Sequence, residues 1–149
     1  MGTKVHFVTD GAGTPLAALL SPAQQHDATL FIDVVETARM PRTSWRSREL
    51  PSRLVADKGY DSDPLRAWTR RRHMQPVIPR RSYCGSTRPN PDFDRKAYRS
   101  RNVVERCASW LKECRRVLTR FEKLAVNYLA MVGLAMIQRY LRLLFSDGP

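Results

Sequence analysis

The chain has 149 residues, of which 42% are hydrophobic and 27% are charged, as expected of one globular domain with an apolar core. Lys and Arg number 26 against 14 Asp and Glu, which gives a formal net charge of +12. Such an excess points first to nucleic acid as a partner and second to an anionic membrane surface. The N-terminus has no signal-peptide pattern, and the three cysteines have no disulfide-like or zinc-like spacing. We therefore expect reduced thiols in a cytosolic protein.

The first 38 residues predict a β-hairpin followed by a helix. Polar and apolar side chains alternate over residues 4–9, and residues 15–20 form a second apolar segment, so both are predicted strands. Residues 10–13 between them have the composition of a tight turn, since glycine supplies the positive φ that such a connection needs. Residues 28–38 repeat apolar side chains at helical spacing, and Asp27 is the candidate N-cap of that helix.

The middle of the chain alternates strands and helices, which is typical of an α/β fold with a central sheet. After an Arg-, Ser- and Pro-rich segment at 39–52, predicted to be an exposed loop, residues 53–56 form a short buried strand that ends at Asp57. A helix begins at the Ser-Asp-Pro segment 62–64, and residues 75–79 form the next strand. We therefore predict a sheet flanked by helices.

The C-terminal third is predicted to be a helical pair that follows a basic loop at 80–96. One apolar stripe, at steps of three and four, runs through 104–121 and is formed by Val104, Cys107, Leu111, Cys114, Leu118 and Phe121. A second helix covers 124–145, and the tail at 146–149 stops it. Residues 1–145 are thus predicted to form one domain.

The segment 124–145 is the stretch that could be mistaken for a membrane span. Asn127, Gln138, Arg139 and Arg142 interrupt it, and its unbroken apolar part is shorter than the roughly 20 residues that a span needs. We predict instead a helix buried on most of its circumference, in a core or a subunit contact, with no membrane partner.

Two acidic residues are candidates for chemistry. Asp57 lies where an apolar strand meets a loop, the place where α/β folds put functional groups, although it could merely cap the next turn. Glu105 is predicted within a helix that begins near Tyr98, on the same face as Arg101 and Lys112 at offsets of four and seven. On the helix pattern alone, an ordinary Arg101–Glu105 ion pair is the favoured interpretation.

Basic side chains flank both acids in sequence, with few acids among them. Arg clusters bind phosphates without reading sequence, and a merely solvated face normally mixes both charges, so the pattern favours a DNA-binding surface. The candidates are Arg70, Arg71, Arg72, His73, Arg80, Arg81, Arg88, Arg95, Lys96, Arg99 and Arg101.

These residues are arranged as in the DDE transposases of bacterial insertion sequences. In one group of that family the third acid lies in the motif Tyr-x2-Arg-x3-Glu-x6-Lys, which Tyr98, Arg101, Glu105 and Lys112 match at all four positions. The segment VADKGYDS around Asp57 resembles the second-acid block of the family. Three further stretches resemble segments of the family: GTKVHFVTDGAGTPLA, PVIPRRS and RNVVERCASWLKECRRVLTRFEKL. The likeness therefore covers nearly the whole chain.

The resemblance implies an RNase H-like fold with a central mixed sheet, and metal-dependent phosphodiester cleavage and strand transfer on DNA. Three carboxylates would hold two Mg²⁺ (or Mn²⁺) ions, and Asp57 and Glu105 would be two of the three. Lys112 would hold a phosphate of the end DNA, while Tyr98 and Arg101 would position the strand. No covalent enzyme intermediate is expected.

The resemblance also implies a missing part. The first catalytic Asp of the family lies on a strand upstream of the GTK hairpin, and Asp10, in the hairpin turn, does not match that place. We therefore expect a partial catalytic domain without its first strand, either a second reading frame joined to the first by frameshifting or a remnant. Whether this chain is an enzyme on its own stays open.

The expected partners are DNA and either further copies of the chain or the product of an upstream frame, in the bacterial cytoplasm at the nucleoid. Two other functions stay open. One is a non-catalytic module that binds DNA or a partner subunit, because two acids of three leave the metal site incomplete. The other is a related nuclease that cleaves without transposing, which a test for strand transfer between DNA ends would separate from the transposase.

Overall fold

The computed structural model describes residues 2–38, 50–83, 86–87, 90 and 93–145, with the backbone alone for 82–83 and 86–87. Most of the predicted loop 39–52, the whole tail 146–149 and Arg88 lie outside the described residues. The mixture of strands and helices confirms the predicted α/β class. In chain order the elements are β1 (Thr3–Thr9), β2 (Pro15–Pro22), α1 (Phe31–Thr37), β3 (Arg53–Val55), α2 (Asp63–Arg71), β4 (Gln75–Val77), β5 (Ser82–Tyr83), β6 (Ser86–Thr87), α3 (Arg95–Arg99), α4 (Asn102–Glu113), α5 (Arg115–Leu118) and α6 (Ala125–Phe145).

The chain forms two compact units. The hairpin unit comprises Met1–Gln25 and Asn102–Pro149, and the central unit comprises His26–Arg101. Hydrogen bonds join the described strands two by two, as β1–β2, β3–β4 and β5–β6, rather than in the single central sheet that we predicted. Periodicity within a segment locates a strand but does not specify its partner elsewhere in the chain. The single domain over 1–145 stays a prediction.

The β1–β2 hairpin confirms the first predicted element of the hairpin unit. Its antiparallel register joins Thr3–Thr9 to Pro15–Pro22. One carboxylate oxygen of Asp10 closes the turn by accepting two backbone N–H groups, at 2.9 and 2.8 Å. Gly13 in the same turn has φ 90°, a conformation that a residue with a Cβ rarely adopts.

The apolar core of the hairpin unit lies between the hairpin and helices α4, α5 and α6. Helix α4 contacts β1, and α6 contacts β2. The Tyr128 hydroxyl donates to the carbonyl of Val117 at 2.8 Å, so the polar end of this buried ring is paired. The buried side chains, against which Val5, Phe7, Ala18 and Leu20 of the hairpin pack, are Cys107, Leu111, Val117, Tyr128, Val132 and Ala135.

Where we predicted one helix with a continuous apolar stripe, the structure has α3, α4 and α5. A tight turn separates α3 from α4, in which the N–H of Arg101 bonds the carbonyl of Tyr98 at 3.0 Å. Cys114 separates α4 from α5, and beyond it Leu118 and Phe121 are 59% and 72% exposed. The predicted stripe is therefore wrong after Cys114, because a spacing rule fixes a face only while the helix is uninterrupted.

Within one copy of the chain, helix α6 buries one narrow stripe, Tyr128, Val132 and Ala135, so its own core accounts for only part of the predicted burial, and burial in a subunit contact stays a prediction. Leu134 and Ile137 are among its large exposed apolar side chains.

By length and composition α6 is apolar enough to cross a membrane, with mean hydropathy 1.2 over an 18-residue stretch that is 17% buried. One such helix is weak support for a span, because helices of soluble proteins pass the same test.

In the central unit, β3 and β4 pair in parallel, and α2 connects them. Helix α2 begins as predicted, with Ser62 as its N-cap and a proline in its first turn. Leu54 of β3 and Val77 of β4 are buried, together with Leu65 of α2. A parallel pair needs a crossover of this kind, so the strand–helix–strand reading of the sequence is confirmed here.

Two local predictions for the central unit need correction. Asp27 is not the N-cap of α1: residues Asp27–Leu30 form a separate 3-10 turn, capped by His26, whose Nδ1 accepts the N–H of Ala28 at 3.2 Å. The segment 80–96, predicted to be a loop, includes the short strands β5 and β6 and the start of α3. Both corrections concern short elements, which leave too few positions for a periodicity to show.

Candidate functional site

Asp57 lies just beyond the carboxyl end of β3, as predicted. One of its oxygens accepts the N–H of Lys58 at 2.7 Å and so caps the single turn Lys58–Tyr60. The Asp57 side chain is 57% exposed. The capping role and a ligand role are therefore compatible, because a carboxylate has several acceptor positions and this one uses few of them for the cap.

Arg101 of the Tyr-x2-Arg-x3-Glu-x6-Lys motif lies beside Asp57 in the central unit, and Tyr98 of the same motif contacts Arg101. Arg101 Nη1 is 3.7 Å from the second carboxylate oxygen of Asp57. The Arg101 guanidinium is 5.7 Å from the centre of the Tyr98 ring, and that ring is 5.3 Å from the ring of Phe93. The structure thus brings the second-acid block and the first half of the motif together, although they are far apart in sequence.

The side chain of Asp94 holds α3 near β3. Its Oδ1 accepts the N–H of Ala97 at 2.8 Å and caps α3, and its Oδ2 is 3.4 Å from Arg53 Nη1 at the start of β3. One carboxylate therefore caps the helix that carries Tyr98 and ties it to the strand that leads to Asp57.

Glu105 and Lys112 lie on α4 of the hairpin unit, and both are exposed. Their offset of seven places them two turns apart on one side of the helix. Arg101, which we predicted to share this helical face, lies instead in the turn before α4. Glu105 and Asp57 belong to different compact units, so their meeting at a metal ion stays a prediction.

Asp61 is a nearly buried carboxylate that no sequence pattern indicated as a candidate. Its Oδ1 accepts Nε and Nη2 of Arg66 at 2.9 and 2.8 Å, and its Oδ2 accepts the backbone N–H of Arg81 at 2.7 Å. The side chains of Arg66 and Asp61 are 1% and 8% exposed. Burial raises the pKa of Asp61, but the hydrogen bonds from Arg81 and Arg66 and the charges of Arg66 and Arg80 outweigh it and leave the pKa below its ordinary value.

A sequence signal for this network existed in the position of Arg66. The residue shares the buried face of α2 with Leu65 and Thr69. A guanidinium on an apolar helix face must find a partner for its charge, and the three aspartates of the preceding DKGYDSD segment were the nearest candidates.

Arg80 and Arg81, which we predicted to bind DNA, have protein partners in the structure. Arg81 donates Nε to the carbonyl of Lys58 at 3.0 Å and Nη2 to the carbonyl of Gly59 at 2.8 Å. Arg80 forms an ion pair with Asp63. The Arg81 contacts hold the turn after the candidate acid, and DNA binding by either arginine stays a prediction.

The other predicted basic cluster divides into exposed and paired side chains. Arg70 and Arg71, at the end of α2, are exposed. Arg72 pairs with Glu36 at 2.6 Å, and its guanidinium lies 5.2 Å from the centre of the Trp68 ring. The structure therefore distinguishes two arginines at the surface from one that also packs the protein.

The described residues contain no group of three or more His, Cys, Asp or Glu side chains placed to hold a metal ion. Asp57 offers the hard oxygen donor that Mg²⁺ and Mn²⁺ take, exposed at a loop, and so fits one ligand of such a site. A complete site needs further carboxylates besides Asp57.

Comparison with known proteins assigns the family. The sequence matches the profile of the family described as "Transposase DDE domain" over residues 1–138. It is 37% identical over 126 residues to a Burkholderia cepacia protein named "Putative transposase for insertion sequence element IS402", covering 83% of this chain and 56% of that protein. It is 29% identical over 148 residues to "Putative transposase for insertion sequence element IS6501" of Brucella ovis, covering 95% of this chain and 100% of that protein.

No solved structure matches this chain significantly. The chain belongs to the DDE transposase family of insertion sequences, as its motifs indicated. It spans about half the length of the Burkholderia relative.

Proposed function

We propose that this chain is the part of a transposase catalytic domain that carries the second and third acids of the active site, Asp57 and Glu105. The proposed reaction is metal-dependent cleavage of DNA phosphodiester bonds and strand transfer, in an RNase H-like fold. Family membership supports the proposal. The structural observation that carries it is the position of Asp57 at the end of β3, beside Arg101 of the family motif, which lies over the Tyr98 ring.

Each proposed role follows from the chemistry of the side chain. Asp57 and Glu105 would supply carboxylate oxygens to Mg²⁺ or Mn²⁺. A pair of such ions activates the attacking hydroxyl and stabilises the leaving oxygen in this reaction class. Arg101 and Tyr98 would position the DNA strand beside Asp57, and Lys112 would hold a phosphate.

The proposal includes partners and a location. A third carboxylate, the first acid in family order, would come from a segment outside these 149 residues, in an upstream-frame product or another copy. DNA is the proposed substrate, and the net charge of +12 favours it. Action on the chromosome implies a bacterial, cytoplasmic protein at the nucleoid.

A non-catalytic DNA-binding module is the second candidate. It is favoured by the exposed side chains of Arg70 and Arg71 and by the lack of a three-ligand cluster in the part of the chain that the structure describes. Such a module would bind phosphates through its arginines without cleaving DNA.

Cleavage and strand transfer of element-end DNA test the proposal, with the chain assembled with a segment that supplies the first aspartate. Asp57→Asn and Glu105→Gln should each lower the rate on the order of a thousandfold, because a lost metal ligand removes several kcal/mol of transition-state stabilisation. Asp33→Asn, at an exposed carboxylate of α1, is the matched control and should be unchanged.

Three outcomes decide between the candidates. Full activity of Asp57→Asn would contradict the catalytic role of Asp57. DNA binding without cleavage by the complete assembly would favour the binding module. The unassembled chain should show very weak or no cleavage, and efficient cleavage by it alone would mean that all the acids lie within this chain.

A further inference from the structure

The loop that carries Asp57 has little internal support. The N–H of Tyr60 bonds the carbonyl of Asp57 at 3.0 Å, and the N–H of Asp61 bonds the carbonyl of Lys58 at 3.1 Å. Gly59 lies inside this turn and makes its backbone permissive. A metal ligand must be held to within about 0.5 Å, which needs more than one short turn.

Arg81 supplies that support from outside the turn. Its Nε and Nη2 donate to the carbonyls of Lys58 and Gly59 at 3.0 and 2.8 Å. Both bonds come from one planar guanidinium, so the two carbonyls are fixed relative to each other. The turn after Asp57 is thereby tied to the segment that follows β4.

Asp61 in turn holds Arg81 in place. Its Oδ2 accepts the backbone N–H of Arg81 at 2.7 Å, and its Oδ1 is held by the buried Arg66 of α2. Arg66 also donates to the carbonyl of Ile78 at 2.7 Å. The contacts form one continuous chain from the interior of α2 to the turn after Asp57.

We infer that Arg81 and Asp61 are positioning residues for Asp57, which hold its carboxylate where a divalent ion binds. The inference rests on the proposed function, since it takes Asp57 as a metal ligand. It also assigns Arg81 a role different from the predicted DNA contact, because two of its donors are engaged with backbone carbonyls. Residues that orient a ligand in this way are typically worth about 10- to 100-fold in metal affinity.

Two measurements on the full 149-residue chain test the inference. Amide hydrogen exchange at residues 58–61 reports whether the turn is held, and titration with Mn²⁺, followed by its electron paramagnetic resonance signal, reports metal binding. Arg81→Met should lose protection in the turn and weaken Mn²⁺ binding about tenfold. Arg81→Lys should recover part of both, because an ammonium does not hold two carbonyls in a fixed fork.

Asp61→Asn should act in the same direction as Arg81→Met. If Asp61→Asn does not fold, Arg81→Met still carries the test, because it leaves the Asp61–Arg66 pair intact. Asp33→Asn and Arg116→Met are the matched controls at exposed positions away from this network and should change neither measurement.

Wild-type protection and Mn²⁺ affinity in Arg81→Met would overturn the inference. Loss of protection without loss of Mn²⁺ affinity would also overturn it, because a merely structural role predicts that result. Asp57→Ala separates the inference from the proposed function. If Asp57→Ala binds Mn²⁺ as the wild type does, Asp57 is not a ligand and the proposed function fails, while hydrogen exchange still decides whether Arg81 holds the turn.

Discussion

The central unit carries 17 Lys and Arg against nine Asp and Glu, whereas the hairpin unit carries nine against five. The buried side chains of the two units also differ in charge. The central unit buries an ion pair, Arg66–Asp61, while the buried cluster of the hairpin unit is formed by apolar side chains, two of which are Leu111 and Val132. The central unit therefore depends on a buried pair of charges in addition to apolar packing around Leu54, Leu65 and Val77, and the hairpin unit depends mainly on packing.

This difference shows how a strongly basic sequence is used. In the central unit the cations serve two purposes, since Arg66, Arg80 and Arg81 hold aspartates or backbone carbonyls while Arg70 and Arg71 stay at the surface. Net charge alone does not separate these purposes, because both contribute equally to it. Substitutions that remove one purpose at a time make the comparison measurable.

The largest effect on stability is expected from Arg66→Met. The substitution leaves Asp61 buried without its main charge partner, which should lower the free energy of unfolding by about 3–5 kcal/mol. Urea unfolding followed by circular dichroism measures it. Arg53→Met removes the exposed partner of Asp94 and should cost less than about 1 kcal/mol. Equal losses in the two variants would mean that the buried pair is not special.

In the hairpin unit, Leu111→Ala should lower the free energy of unfolding by about 2–5 kcal/mol, because Leu111 is buried in the core cluster. Leu134→Ala, on the exposed side of α6, should stay within about 0.5 kcal/mol of wild type. The same urea titration compares them. A large loss in Leu134→Ala would show that this side of α6 is covered in solution, as the predicted subunit contact requires.

The way in which the free energy of unfolding falls at acidic pH should distinguish the two units further. The folded-state pKa of Asp61 is lowered, so its ionised form stabilises the fold above the unfolded value near 3.8, and this contribution is lost as the pH falls through the folded pKa. Wild type should therefore lose stability below about pH 4 more steeply than Asp61→Asn. Urea midpoints between about pH 2 and 7 measure this. Parallel curves would mean that Asp61 does not contribute to acid unfolding.

Sequence patterns predicted the parts of this molecule that depend on neighbouring residues. The hairpin follows from alternation and from turn residues, and α2 follows from its Ser-Asp-Pro start. The motif likeness selected Asp57, Arg101 and Tyr98, which the structure places together. Each of these features is encoded within a few positions or in a fixed spacing.

The features that sequence patterns missed depend on contacts between distant segments. The ion pairs of Asp61 join it to α2 and to the segment after β4, so no local spacing encodes them. The breaks at Arg101 and Cys114 interrupt a spacing that reads as continuous, and the helical interpretation therefore carried Leu118 and Phe121 onto a buried face where they do not lie. Asp57 and Glu105 as ligands of one ion stay a prediction for the same reason.

The smallest expected effect concerns the surface cations of the central unit. If Arg70 and Arg71 contact phosphates, replacing both with Ala should make the dependence of log K on log salt for duplex DNA shallower by about 1.8, because each lost contact removes roughly 0.9 of released counterion. Arg72→Ala should change the slope less than either single variant, since Arg72 pairs with Glu36. Fluorescence anisotropy with a labelled duplex between about 50 and 200 mM salt covers the range in which the slope is measurable.

A slope unchanged by the double substitution would place the DNA contacts elsewhere, and an equal change in Arg72→Ala would show that its ion pair opens on DNA. Because the contacts are to phosphate, the affinity loss should be the same for element ends and for unrelated duplexes, and a loss confined to element ends would contradict this role.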